Sequence, residues 1–384
     1  MNSAGGYISQ TYIWCLFPGL ISFFIDLHRN GLAASIRGMT AGEKLIALML
    51  LWIQVHPLLV SEGIDIGTVF NRVIKIAAYL YVVRTVVIHC KRPERLLLLA
   101  AGVATFFAAF TLIYQFGVLD RPLGVRALGI DGYRVDKLGL GNFTEGLSNP
   151  ILAALYYGSF ATILCGYMAV KPFYWQRRMP MIIAIVMLGV FILLTGSRGP
   201  LIAFVAMAGM SLLLCRYTWK WKAIFLLSVM AAISLIWLHD DILLQIDRVL
   251  ADGFNCRFPI WEQAVNAISQ KPVIGYGAFS DFKATCAGVT FEHPHNMMVN
   301  LLYHWGLPAL AFYIAILGYI LLTMKQLKPS SVRTIAIVLM VFGFVGMLTD
   351  TYSFLVRPNL QWLLYFLPIS LYSGEYRKQL MATE

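Results

Sequence analysis

Apolar runs of roughly membrane-spanning length recur along the whole chain, and the segments between them carry most of its charge. A helix needs ~20 mostly apolar residues to cross the hydrocarbon core of a bilayer. We read such runs near 8–26, 44–61, 66–89, 96–118, 149–170, 179–196, 199–215, 223–238, 297–324, 334–350 and 358–374. Charged residues make up 13% of the 384 positions and hydrophobic residues 59%, against roughly 25% and 45–50% in an ordinary soluble domain. Too little polar surface remains to coat a globule in water, and the mean hydropathy is +0.72. The expected fold is an all-α polytopic integral membrane protein with about 11–12 transmembrane helices.

The charge pattern orients the runs. Lys and Arg concentrate in alternate connections: Arg29 and Arg37; Lys91, Arg92 and Arg95; Lys171, Arg177 and Arg178; Arg216, Lys220 and Lys222; Lys325, Lys328 and Arg333; and Arg377 with Lys378. The remaining short connections, at 62–65, 196–200 and 351–357, hold only Arg198 and Arg357. Short loops rich in Lys and Arg stay cytoplasmic, so the first set is expected inside. The N-terminus is then outside and the C-terminus inside. The first run lacks a basic leader and a small-residue cleavage site, and reads as a retained helix rather than a signal peptide. The net charge of +11 follows from this orientation and from no nucleic-acid motif.

Two long segments, 119–148 and 239–296, both fall on the outer side. They divide the chain into N-terminal transmembrane helices over 1–238, a long outer loop of short helices over 239–296, and C-terminal helices with a short tail over 297–384. The long loop opens with HDDILLQIDRVLADG, whose apolar residues recur at helical spacing and suggest a helix lying on the membrane surface. A helix is expected over 260–269, stopped by Pro272. Cys256 and Cys286 share this loop, and an outer compartment permits a disulfide between them; two unpaired thiols is the alternative.

The loop ends in EHPHN, with His293, His295 and Asn296 at the entrance of an apolar run. Three roles are open to such a histidine: a general base, since its unperturbed pKa is ~6.5; a metal ligand; or a polar helix cap. His-x-His needs a third ligand for a metal, and no His-x-x-x-His or Cys-x-x-Cys spacing supplies one. On spacing alone the cap, the base and the metal ligand all stay open; no metal and no cofactor is the expectation. Cations stand nearby in the outer set. Arg198 lies in the tight Gly-Ser-Arg-Gly-Pro turn between apolar runs, where a charge is costly unless used. Arg257 lies in the long loop, Arg134 with Arg126 in the shorter one, and Arg72 and Lys75 one turn apart on a single helix face. Arg72 and Lys75 could equally snorkel to the interface. Cations beside a histidine, without paired carboxylates for Mg²⁺, suit the binding of a phosphate or pyrophosphate while a base activates an attacking group.

Three segments, LLTGSRGPLIAF, RFPIWEQAVNAISQKPVIGYG and HPHNMMVNLLYHWGLPAL, resemble in order and sidedness the O-antigen ligase superfamily. The resemblance runs over roughly 140–375. It implies a metal-independent, inverting glycosyltransferase in the bacterial inner membrane, its active face toward the periplasm. The implied donor is a glycan on undecaprenyl pyrophosphate and the implied acceptor is lipid A–core. His295 would be the essential base, Arg198 and Arg257 the pyrophosphate-binding arginines, and Asp350 a supporting acid. O-antigen polymerases and protein O-oligosaccharyltransferases belong to the same superfamily, and a transporter is the alternative from another class. Transporters gather polar residues at the membrane midplane, whereas these lie toward one face.

Overall fold

The structure, a computed structural model, describes residues 11–60, 65–124, 132–136, 149–170, 175–214, 256–350, 354–355 and 359–383. The run expected near 223–238, the surface helix expected to open the long loop, Arg126 and Arg357 lie outside the described residues.

Twelve helices and one small hairpin make up the described elements, in the order α1 (Phe17–Asn30), α2 (Leu32–Arg37), α3 (Ala41–Val55), α4 (Ile66–His89), α5 (Glu94–Leu112), α6 (Pro150–Val170), α7 (Trp175–Leu194), α8 (Arg198–Leu214), α9 (Arg257–Gln270), β1 (Ala284–Cys286), β2 (Val289–Phe291), α10 (Met297–Thr323), α11 (Ser331–Thr349) and α12 (Leu367–Met381). Wide turns of π type lead into α1 and α12 and extend α5 to Val118. Among the described residues, five spans are long and apolar enough to cross a bilayer: Ile66–His89, Glu94–Val118, Pro150–Val170, Met297–Thr323 and Ser331–Thr349. Two shorter apolar helices, Arg178–Leu194 and Arg198–Leu214, accompany them. The chain is an all-α polytopic membrane protein, its β1–β2 ribbon being the one sheet among the described residues.

The core forms around α11, which is buried along most of its length and packs on α6, α8 and α12. Outer helices turn large apolar side chains outward, among them Leu99, Phe106, Leu321 and Leu322. In lipid such exposure carries no penalty, because the surroundings are as apolar as a protein interior.

The two ends of the bundle differ in chemistry. At one end, basic residues satisfy helix C-termini: Lys378 Nζ donates to the carbonyls of Val87 (3.1 Å) and Cys90 (2.9 Å), and Arg333 Nη2 to that of Met324 (2.6 Å). Cations suit these positions because the last carbonyls of a helix are unpaired and carry partial negative charge. Glu43 closes a capping box with Thr40 at the start of α3 and also pairs with Arg84 of α4. The opposite end carries α9, the β-ribbon and the starts of α8 and α10.

The apolar run at 297–324, expected as one helix, is broken inside. Gly306 adopts φ +70°, and Pro308 follows it without a backbone N–H. The freed backbone groups bond to the preceding loop: Tyr276 N donates to Tyr303 O (2.7 Å), Gly277 N to His304 O (2.9 Å) and Leu307 N to Pro272 O (3.0 Å). Trp52 of α3 and His56, just past its end, hold this junction. Trp52 Nε1 donates to Trp305 O (3.0 Å), and His56 Nε2 bonds Ile274 O (2.5 Å). The break thus docks the loop onto the bundle, just beyond the histidines.

Candidate functional site

Asn296 decides how the histidines are used. Its side chain accepts from Met298 N (2.9 Å) and Val299 N (3.3 Å), capping α10, and its Nδ2 donates to Leu348 O (3.2 Å) at the end of α11. With the cap supplied by asparagine, the imidazoles are left for other work. His295 takes a left-handed backbone, φ +52°, a conformation uncommon outside glycine and enriched at functional sites.

His295 Nδ1 lies 2.7 Å from Asp350 Oδ1. A carboxylate oxygen accepts, so Nδ1 donates this bond, and a neutral imidazole would then keep its lone pair on Nε2. His293 packs against the same group, its ring centroid 4.0 Å from that of His295 and its Nε2 3.9 Å from Asp350 Oδ1. Burial, then the neighbouring His295, holds the His293 imidazole down to about 4, against a smaller opposing pull from Asp350. Trp261 Nε1 donates to Pro294 O (2.9 Å), fixing the residue between the two histidines. Asp350 itself is nearly buried, in extended backbone at the end of α11.

The arginines arrive at this same helix end from two directions. Arg257 Nη1 donates to Thr349 O, the residue before Asp350. Burial lowers its pKa and the Asp350 carboxylate opposes the shift; a guanidinium remains charged regardless. The disulfide between Cys256 and Cys286, Cα atoms 5.4 Å apart, ties the residue before Arg257 to β1. Gln263 strengthens the same seam by bonding both backbone groups of Thr285. From the other direction, the turn between α7 and α8 meets α11 closely: a Cβ on Gly199 would lie 2.1 Å from Thr349 Oγ1. That contact brings the start of α8, with the half-buried Arg198 just before Gly199, to the end of α11. Arg134 braces the turn, donating from Nε to Thr195 O (2.9 Å) and from Nη2 to Ser197 Oγ (3.3 Å).

The remaining cations expected here are engaged in different contacts. Arg72 donates to Leu355 O (2.7 Å) and lies over the Phe279 ring at 4.2 Å, so it joins α4 to the loop and to the segment after α11. Lys75 reaches Tyr12, 3.2 Å from its hydroxyl and 4.2 Å over its ring. One turn further from the loop, it turns to the helix pair rather than to the histidines.

The expectation that His-x-His lacks a third metal ligand needs correction. Asp350 supplies one: potential ligand atoms of His293, His295 and Asp350 all lie within 4.8 Å of one another. The carboxylate is 55 residues from His295 in sequence, so no local spacing announces it. Thr349 and Trp261 also escaped the sequence reading as partners of the site. Trp261 carried a weak signal, since it falls within the quoted RFPIWEQ.

Fold and site together define a multi-pass membrane protein with a His–Asp pair and converging arginines at one end of its bundle. Comparison with known proteins shows what part of this chain is similar to. Residues 182–314 match the model of a family described as O-antigen ligase. An O-antigen ligase of Pseudomonas aeruginosa is 28% identical over 231 residues, 59% of this chain and 54% of the relative. The match thus spans about half of that relative's length. Both findings are similarities to O-antigen ligases, and the family-model match covers the stretch that holds Arg198, Arg257, His293 and His295.

Proposed function

We propose that this protein is a glycosyltransferase of the inner membrane that moves a glycan from undecaprenyl pyrophosphate onto lipid A–core at the periplasmic face. The observation that carries the reading is the His295–Asp350 pair beside Arg257. Nε2 of His295 accepts the proton of an acceptor hydroxyl, whose oxygen attacks the anomeric carbon of the donor glycan. The bond from that carbon to the phosphate oxygen breaks, the configuration inverts, and undecaprenyl pyrophosphate leaves. Arg257 and Arg198 hold the pyrophosphate and stabilise the charge that builds on it; Arg134 acts through the turn it braces. Arg72 acts by holding the loop and the segment after α11 in place, Lys75 takes no direct part, and the apolar flank of the bundle takes the polyprenyl chain. Asp350 keeps His295 in the tautomer that leaves Nε2 basic. The charge-stabilising work falls to arginine, and no step requires a metal.

The test uses purified protein, undecaprenyl-pyrophosphate glycan and lipid A–core with EDTA present, comparing wild type with His295→Ala. The expected result is a ladder of glycan-bearing lipid A–core from wild type and ~10²–10⁴-fold less from the variant, the range of general-base contributions. A lengthened lipid-linked glycan without core-linked product identifies a polymerase instead. Transfer to Ser or Thr of a protein identifies an oligosaccharyltransferase, and no product from folded protein returns the transporter reading.

A further inference from the structure

The site contains more ligand chemistry than a base requires. His293 Nε2, His295 Nδ1 and Asp350 Oδ1 form a compact group of two imidazoles and one carboxylate. Tetrahedral zinc with bonds of ~2.0–2.1 Å places its ligand atoms ~3.3 Å apart. The observed separations to Asp350 Oδ1, 2.7 and 3.9 Å, bracket that value. Both histidine side chains are about a quarter exposed, so an ion can enter from the loop face. Two nitrogens and one oxygen match the donor set of zinc sites with an open fourth position, and suit Zn²⁺ far better than Mg²⁺ or Ca²⁺.

We propose that His293, His295 and Asp350 form an inhibitory site for a divalent transition-metal ion of the zinc type. Three side chains fill three positions of the ion, and water takes the fourth. The inhibition rests on the reading of His295 as base. A metal on Nδ1 takes the place of the proton that His295 shares with Asp350, and that single ring proton moves to Nε2. The lone pair that would accept the acceptor's proton is then gone. Asp350, taken as a ligand, no longer orients the ring. Arg257 acts on the Asp350 carboxylate, and its positive charge keeps zinc weaker here than at a four-ligand structural site. Zinc would thus switch transfer off reversibly, as a function of its free concentration at that face.

The experiment uses the purified full chain in detergent, stripped with chelator. Zinc is titrated against a chromophoric indicator, with Co²⁺ absorption as a second readout, on wild type, His293→Gln and Asp350→Asn. Thermal unfolding without metal checks that each variant is folded. The expected result is one zinc per wild-type chain, at least ~10-fold weaker binding in each variant, and glycan transfer by wild type that zinc abolishes and EDTA restores. Millimolar Mg²⁺ leaves transfer unchanged. Folded wild type that takes up no zinc overturns the site, as does His293→Gln that keeps full affinity; both leave His295 as base untouched. Zinc bound at the cluster while transfer proceeds overturns the inhibition and, with it, His295 as the base.

Discussion

At the scale of single residues, the site depends on which atom of His295 holds a proton. Asp350→Asn preserves shape but offers an amide that can donate to Nδ1, favouring the wrong tautomer. We expect ~10²-fold or greater loss of transfer, with the unfolding midpoint close to wild type, measured as product per minute beside a melting curve. Near-full activity would remove Asp350 from the mechanism. Arg257→Lys is the companion test. Lysine keeps the charge but lacks the planar fork that can bond Thr349 O and a phosphate together. Donor KM should rise in the variant, and a rise equal to that of Arg257→Ala would show that geometry, rather than charge, is what Arg257 supplies.

At the scale of elements, two devices hold the outer loop in place. One is the Cys256–Cys286 bridge, closing a loop of sequence separation 30. Such a closure contributes about 2–4 kcal/mol through the entropy it removes from the open chain. Cys286→Ser should therefore make the α9–β1 region open to proteolysis while the helical bundle melts as before; unchanged protease resistance would mean that Gln263 and the apolar contacts suffice. The other device is the broken helix. A Cβ on Gly306 would lie 2.0 Å from Val273 O, in a backbone region that L-residues avoid. Gly306→Ala should displace the 272–277 segment and cost more than about 1 kcal/mol, read as faster hydrogen exchange at Tyr276 and Gly277. Protected amides at both positions would mean that the loop shifts to accept the methyl group.

At the scale of the whole molecule, the bundle separates its chemistry by end. The charged groups that close helix termini, Arg333, Lys378 and the Glu43–Arg84 pair, lie opposite the histidines. Under the orientation proposed from the charge pattern, Cys90, whose carbonyl accepts from Lys378, faces the cytoplasm. A membrane-impermeant maleimide should then label Cys90 in inverted vesicles and leave it unlabelled in spheroplasts. The reverse pattern would place His295 on the cytoplasmic side and remove the periplasmic reading.

Much of this was legible in the chain itself. Hydropathy runs reveal membrane helices because the bilayer imposes one length and one polarity on every span, whatever its neighbours. Loop residues such as Arg333 and Lys378 carry an expected orientation by the same kind of rule, and the labelling of Cys90 tests it. The capping by Asn296 and the stop between α7 and α8 also follow from local rules, since each concerns residues within one turn. The meeting of His295 with Asp350, of Arg257 with Thr349, and of Gly199 with Thr349 does not. Those partners lie on helices whose order in the bundle is set by packing, and nothing in a local window records which helix end will face which. The break at Gly306 belongs to the same class: inside a uniformly apolar run, a glycine–proline pair is tolerated only because a loop supplies the missing hydrogen bonds. The sequence by itself determined a membrane bundle, five of its spans and the residue types able to do chemistry. The tertiary structure decided which of them touch, because α11 carries Asp350 to His295, which the chain places 55 residues away.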